Sequence, residues 1–163
     1  MAGDRAALAT ALSARVPDDW PPPGLTAEKP SFRDAIAAHP ELSGFWGGFS
    51  ILSTDGSAEP VLIGHIALQG PPDLRGALAV GYTIVASHAG RGYASEALRA
   101  LVAWAFFHSD ARVVTADVRA DNAASRRVLE RCGFLLAGAG PMPGTLVYAL
   151  TREQAAIYRE RMR

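Results

Sequence analysis

The pentapeptide Gly90-Arg91-Gly92-Tyr93-Ala94 is the segment whose residue types and spacing point most directly to chemistry. It stands between a predicted strand and the clearest predicted helix. The opening turn of a helix has unpaired backbone N–H groups and partial positive charge, so several amides together can bind a phosphate there. Glycines let the backbone approach such a ligand closely, and Arg91 adds a charge. The alternative is a plain strand-to-helix connection in which the glycines serve only geometry.

Two other nucleotide-binding motifs fit this turn poorly. A Walker loop needs Gly-Lys-Ser/Thr, and the only lysine of the chain is Lys29. The dinucleotide fingerprint needs a glycine where Ser95 stands, and Asp117 follows at too long a spacing to be its acidic residue. A dinucleotide-binding protein is therefore the least favoured of the functions considered.

Hydrophobic periodicity and turn signals divide the chain into helices and strands. The predicted strands are Phe49–Leu52, Val61–Leu68, Ala77–Val85, Val113–Val118, Phe134–Ala137 and Thr145–Leu150. The predicted helices are residues 3–14, residues 31–39 capped by Ser31, residues 92–107, a short one between Asn122 and Gly133, and a C-terminal one opened by a capping box at residues 151–154. Loops or turns are expected at residues 17–30, 44–48 and 54–57. This order predicts an α/β or α+β fold with a mixed sheet.

The helix over residues 92–107 is the strongest of these predictions. Its apolar residues recur at steps of three and four, which gives a helix with one buried stripe. The stripe consists of Ala94, Ala97, Leu98, Leu101, Val102, Ala105 and Phe106.

Composition narrows the class of protein. The 163 residues favour one domain spanning the chain. Sixteen basic and sixteen acidic residues give zero formal net charge, which argues against a nucleic-acid binder. A single cysteine, Cys132, excludes an internal disulfide, and no residue cluster indicates a metal site. The absence of a long apolar run or a signal peptide predicts a cytoplasmic protein without a membrane anchor.

Residues 44–150 resemble the GNAT superfamily of N-acetyltransferases, closest to its branch of ribosomal-protein alanine acetyltransferases, whereas residues 1–43 match it weakly. The phosphate loop of that family, Gln/Arg-x-x-Gly-x-Gly/Ala, is matched by Ala89–Ala94 and continued by Ser95. A second block, Asn-x-x-Ser-x-x-Val-Leu-x-x-x-Gly-Phe, is matched from Asn122 to Phe134 at the family's spacing.

The resemblance implies a mostly antiparallel central sheet flanked by helices, with acetyl-CoA held in a splayed pair of parallel strands, 77–85 and 113–118. Backbone amides near Ile84 and Val85 would hold the pantetheine and thioester. Amides of the loop would hold the pyrophosphate; the residues concerned are Ala89, Gly90, Arg91, Gly92, Tyr93, Ala94 and Ser95. Asn122 would contact the pantetheine arm, although an ordinary helix cap explains it as well, and Ser125 is either a further contact or a helix-surface hydroxyl.

Three positions depart from the family pattern. Ala89 replaces the usual Gln or Arg, Leu129 the frequent tyrosine acid, and Ala79 the frequent glutamate. The remaining candidates for proton transfer are His65, Asp117 and Tyr148. Each has a structural alternative: a strand histidine, an ion pair and a core aromatic, respectively.

The resemblance implies an enzyme that moves an acetyl group onto a primary amine, a small molecule or a protein N-terminus, in a ternary complex. The alternative is a non-catalytic acyl-CoA-binding module. Asp18, Asp19 and Asp73 could attract a cationic acceptor, unless they are solvated loop charges. The family's first strand is expected to be missing, and the edge that this exposes would favour a homodimer.

Overall fold

The computed structural model describes residues 5–23, 25, 48–54 and 59–161. The predicted helix at residues 31–39 and the turn at residues 55–57 lie outside the described residues, as does most of the aromatic turn before Gly48. In the described part of the chain, no helix combines the length and apolarity needed to cross a lipid bilayer.

Four helices and six strands make up the described residues. The helices are α1 (Arg5–Leu12), α2 (Tyr93–His108), α3 (Ala123–Arg131) and α4 (Arg152–Arg161). The strands are β1 (Gly48–Ser53), β2 (Val61–Leu68), β3 (Ala77–Ile84), β4 (Val113–Arg119), β5 (Leu135–Ala139) and β6 (Thr145–Thr151). Within the described residues the predicted order of elements is confirmed, and a 3-10 turn at Ala86–His88 is added to it.

Hydrogen-bonded strands follow the order β1-β2-β3-β4-β6-β5. β1 with β2, β4 with β6 and β5 with β6 pair antiparallel, and β3 pairs parallel with β4, which confirms the mixed, mostly antiparallel sheet. Contacts divide the chain into two compact units. The first unit contains residues up to 67 together with 82–93, and the second contains 68–81 together with the rest of the chain from 94. The expectation of one domain stays a prediction.

In the second unit, β3 and β4 pair over a short distance only. The parallel register joins Ala77–Ala79 to Val113–Thr115 and extends no further. β4 continues to Arg119 and pairs with β6 along its whole length. The parallel pair is confirmed, and its pairing stops in mid-strand, as in the splayed pair that the family resemblance implies.

In the first unit, β1 and β2 form an antiparallel pair, and an apolar cluster covers β2. The cluster consists of Trp20, Val61, Leu62, Ile63 and Val85. Burying a valine, leucine or isoleucine side chain contributes about 1.5–3 kcal/mol, so this cluster fixes the strand end at Val85. The described residues begin at α1, so the missing first strand stays a prediction. Arg15 forms an isolated parallel bridge with Val61.

Helix α2 buries the predicted stripe with one change. Leu98, Leu101, Val102, Ala105 and Phe106 are buried, as predicted. Ala94 and Ala97 are half-buried, and Ser95 is buried in their place.

The C-terminal end of α2 is held by Arg152. Its guanidinium donates to the carbonyls of Phe106, Ser109 and Ala111, the last two at 2.7 Å. It also lies 5.2 Å from the centre of the Phe106 ring. A cation beside the last carbonyls stabilises a helix, so Arg152 fixes α2 at the end opposite the glycine turn.

The predicted caps at Asn122, Gly133 and residues 151–154 are confirmed, whereas Ser31 lies outside the described residues. Asn122 Oδ1 accepts from the N–H of Ser125 at 3.0 Å. Thr151 and Gln154 form a reciprocal capping box, with bonds of 2.9 and 3.1 Å. Gly133, at φ +86°, ends α3.

The end of α3 corrects the predicted start of β5. The N–H groups of Gly133 and Phe134 donate to the carbonyls of Glu130 and Leu129, each at 3.0 Å, which is a Schellman cap. Because the Phe134 N–H closes the helix, this residue does not join the sheet, and β5 begins at Leu135 rather than Phe134.

We expect Gly133→Ala to destabilise the fold more than Gly70→Ala. Both glycines have nearly the same φ, +86° and +88°, so both substitutions carry the left-handed penalty of about 1 kcal/mol. A Cβ at position 133 would lie 3.1 Å from the Tyr158 ring, whereas one at position 70 would meet nothing within 4 Å. Urea unfolding of both variants measures the difference, and equal losses would show that the Tyr158 contact is unimportant.

Candidate functional site

The turn that leads into α2 has the geometry of an open cradle. Gly90 and Gly92 have φ values of +78° and +93°, a region that residues with a Cβ rarely adopt. A Cβ at either position would meet no atom within 4 Å, and residues 89–92 are exposed. Glycine is therefore required here by backbone conformation, and the space above the turn is open to a ligand.

The cradle opens a helix of sixteen residues. The first N–H groups of such a helix lack intrahelical acceptors, and the helix dipole adds partial positive charge. Tyr93, at the end of the turn, is bonded to the last residue of β1, because its hydroxyl accepts a hydrogen bond from Ser53 Oγ at 3.2 Å. The arrangement suits a phosphate or diphosphate bound by main-chain donors.

Hydrogen bonds at the end of β3 indicate which of the two predicted amides, that of Ile84 or that of Val85, is available to a thioester. The Val85 N–H donates to Ile63 O at 2.8 Å, and the Val85 carbonyl accepts from the His88 N–H at 3.1 Å. Because successive N–H groups of a strand point to opposite edges, the N–H of Ile84 points away from β2. Of the two predicted amides, that of Ile84 is therefore the better placed to meet a ligand.

Asn122, at the start of α3 in the second unit, serves as a helix cap and keeps donors to spare. Its side chain is exposed, and the cap uses only the carbonyl oxygen. Among the described residues, no hydrogen bond at this helix end uses the two N–H groups of the Asn122 amide. Capping and ligand binding are therefore compatible. Ser125 is half-buried, and its N–H is taken by the cap.

Tyr148 lies in the core of the second unit, with 2% of its surface exposed. Its hydroxyl donates to Glu130 Oε1 at 3.0 Å and accepts from Arg126 Nε at 3.3 Å. The bond to Tyr148 raises the pKa of Arg126. These contacts favour the structural alternative for Tyr148, a core aromatic whose hydroxyl is already committed.

His65 is a half-buried residue of β2 in the first unit. Its ring lies against the backbone of Gly48, where a Cβ would come within 2.2 Å of Nε2. Burial lowers the pKa of His65 from its usual 6.5, because it disfavours the imidazolium. The imidazole is therefore neutral at pH 7 and able to accept a proton. The preceding residue, Gly64, touches Ile84, so His65 lies beside the same strand end.

Asp117 is exposed on β4 and lies opposite Val147. Within residues 59–158, no cation forms an ion pair with its carboxylate. The neighbouring Arg119 instead binds Asp121 through bonds of 3.0 and 2.6 Å. That pairing raises the pKa of Arg119 and lowers the pKa of Asp121. Asp117 is thus left to face solvent or a ligand.

Each of the three loop aspartates that could have attracted a cationic acceptor is bonded to another group of the protein. Asp18 pairs with Arg5 at 2.5 Å. Asp73 accepts from the N–H groups of Arg75 and Ala77 and so closes its own turn. Asp19 binds Ser87, a partner that no local pattern could have predicted because 68 residues separate the two. Structural roles therefore account for all three.

Cys132 does not have the properties of a nucleophile. It is 3% exposed, and its thiol donates weakly to the Ser95 carbonyl at 3.5 Å. Burial raises the pKa of this thiol, which keeps it protonated and unreactive. Among the described residues, no three His, Cys, Asp or Glu side chains converge as metal ligands.

The predicted site residues divide between the two units. Those of the first unit are His65, Ile84, Val85, Ala89, Gly90, Arg91, Gly92 and Tyr93. Those of the second unit are Ala94, Ser95, Asp117, Asn122, Ser125 and Tyr148. In the first unit Gly64, the neighbour of His65, lies against the strand end at Ile84, and the cradle follows that strand end along the chain.

Known acetyltransferases are similar to this chain in sequence. The family model of the GNAT acetyltransferase domain matches residues 2–135. The uncharacterized N-acetyltransferase YjdG of Bacillus subtilis is 29% identical over 118 residues, which cover 72% of this chain and 68% of that protein.

Two solved structures are also similar to the chain. The acetyltransferase of Agrobacterium tumefaciens strain C58 is 32% identical with a TM-score of 0.54, over 66% of this chain and 61% of that one. The ribosomal L7/L12 alpha-N-protein acetyltransferase RimL, in complex with coenzyme A, is 27% identical with a TM-score of 0.50, over 56% of each chain.

Proposed function

Because the chain belongs to the GNAT family of acetyltransferases and is an N-acetyltransferase, we propose that it moves the acetyl group of acetyl-CoA directly to a primary amine in a ternary complex. The observation that carries the proposal is the cradle, in which two left-handed glycines open onto the start of α2. The coenzyme A in the complex with RimL supports the choice of donor.

In this proposal the backbone does most of the donor binding. The amides of residues 90–94 hold the diphosphate, so Ala89 needs no polar side chain. The Ile84 N–H, on the free edge of β3, donates to the thioester or pantetheine. The Asn122 amide donates to the pantetheine arm, as the family motif implies, while its carbonyl caps α3.

Direct transfer agrees with the chemistry of the only cysteine. An acyl-enzyme would need a reactive thiolate, and Cys132 is buried with a raised pKa. The acceptor nitrogen therefore attacks the thioester carbonyl itself. A C–N bond forms, the C–S bond breaks, and the thiolate leaves. A thiol has a pKa of about 8.5, so the thiolate can take its proton from water.

The acceptor amine must lose a proton, because an alkyl ammonium has a pKa of about 10. His65 is the group that we assign to this step, acting through water, since burial keeps its imidazole neutral. Asp117 is assigned to the acceptor's positive charge, because its exposed carboxylate lacks an ion-pair partner within residues 59–158. Both small amines and protein N-termini satisfy these requirements.

We expect Gly90→Ala and Gly92→Ala to weaken acetyl-CoA binding by at least about tenfold, which corresponds to about 1.4 kcal/mol. An alanine cannot easily keep φ near +80°, so the turn moves and its N–H groups lose their common direction. Calorimetry with acetyl-CoA and release of the coenzyme A thiol across a panel of amines measure binding and turnover.

Gly144→Ala is the matched control for Gly90→Ala. Its φ of +77° is nearly that of Gly90, and a Cβ there also meets nothing within 4 Å. It lies in the turn before β6, so it carries the same backbone penalty without touching the cradle. Equal binding by the Gly90 and Gly144 variants would refute the cradle. Tight binding without turnover on any amine would instead indicate an acyl-CoA-binding module.

We expect His65→Gln to lower kcat/KM by roughly 10²-fold and to remove the acid limb of the pH–rate profile. In the unsubstituted protein, activity falls as pH drops through the pKa of His65, where the neutral base becomes imidazolium. Because that pKa is lowered, the limb has its midpoint below 6.5. His108→Gln, at the exposed end of α2, is the control. An unchanged acid limb in His65→Gln would assign the proton transfer elsewhere.

A further inference from the structure

The segment Pro17–Pro23, called the arm below, is fastened to the strand end and to the turn before the cradle. All of these residues belong to the first unit. The Ser87 N–H donates to Asp19 Oδ2 at 2.8 Å, and Ser87 Oγ donates to Asp19 Oδ1 at 3.0 Å. The Thr83 hydroxyl donates to the Pro23 carbonyl at 3.1 Å. Trp20 packs in the same apolar cluster as Val85.

The turn that Asp19 holds has little support of its own. It is a 3-10 turn of three residues, Ala86–His88, and no side chain of Val85 caps its start. Its internal bonds are 3.1 and 3.2 Å long. Short 3-10 turns have poor hydrogen-bond geometry, so the carboxylate supplied by the arm is its main polar anchor.

The same carboxylate orients His88 through Ser87. Ser87 Oγ lies 2.9 Å from His88 Nδ1. The single hydroxyl proton of Ser87 is given to Asp19, so Nδ1 of His88 must be the donor in this second bond. Asp19, Ser87 and His88 thus form a chain of hydrogen bonds that ends one residue before Ala89.

We propose that Asp19 is a positioning residue for acetyl-CoA, which fixes the turn at Ser87 so that the amides of residues 90–94 are already aligned when the donor binds. This inference rests on the proposed function. Gly90 and Gly92 give the loop large conformational freedom when it is not held, and ordering such a loop at binding costs affinity. A carboxylate that holds the loop beforehand removes part of that cost.

Asp19→Ala, Asp19→Asn and Ser87→Ala, with Asp18→Asn as the control, test the inference. Asp18 is the adjacent acid of the arm, but it pairs with Arg5 instead of the turn. Asp19→Ala removes both bonds to Ser87. Asp19→Asn keeps a single acceptor oxygen, and Ser87→Ala keeps the backbone bond, so these two variants retain part of the anchor if Asp19→Ala folds poorly.

We expect Asp19→Ala to raise the Kd and the KM for acetyl-CoA by about tenfold with kcat nearly unchanged, and the two milder variants to lie between it and Asp18→Asn. The Ser87 amide should also exchange with solvent faster in Asp19→Ala without ligand. A general loss of structure would lower kcat as well, so the split between KM and kcat identifies positioning.

Failure of the positioning role and failure of the proposed function give different results. If the unsubstituted protein binds acetyl-CoA and Asp19→Ala binds it as tightly as Asp18→Asn does, the positioning role is refuted while the proposed function stands. If the unsubstituted protein fails to bind acetyl-CoA at all, the proposed function fails and takes the positioning role with it.

Discussion

The conformation of two glycines at the start of α2 is the constraint on which the rest of the account depends. Gly90 and Gly92 hold φ values that other residues avoid, and they do so where a sixteen-residue helix presents its unpaired N–H groups. In the described part of the chain, no atom lies within 4 Å of where a Cβ on either glycine would stand. A turn of this kind can bind negative charge through the main chain, so the proposed donor site does not need a polar side chain at Ala89.

Several remote contacts keep that turn in place. The stripe centred on Leu98 and Val102 buries one side of α2, while Arg152 binds the carbonyls at its far end. Before the turn, Val85 is fixed by its bond to Ile63 and by the apolar cluster of the arm. In the proposed function, binding of acetyl-CoA therefore depends on the many contacts that hold the turn in place. Proton transfer depends on only a few side chains. The assignment of His65 follows from a pKa lowered by burial.

Local patterns predicted the elements and the cradle, because helix periodicity, caps and glycine turns act over a few residues. They placed β2 at Val61–Leu68 and found the Thr151–Gln154 capping box. They missed the bond between Asp19 and Ser87, the placement of the His65 ring on Gly48, and the commitment of the Tyr148 hydroxyl to Glu130. Each of these joins residues far apart in sequence, which no single segment encodes. The homodimer stays a prediction.

Amide chemical shifts of residues 90–94 during titration with coenzyme A test the central claim most directly. If main-chain donors bind the diphosphate, the chemical shifts of these five amides change strongly. They change much less when dephosphorylated pantetheine replaces coenzyme A. If saturating coenzyme A leaves them unchanged, the turn is only a connection between β3 and α2, and the account of donor binding is wrong.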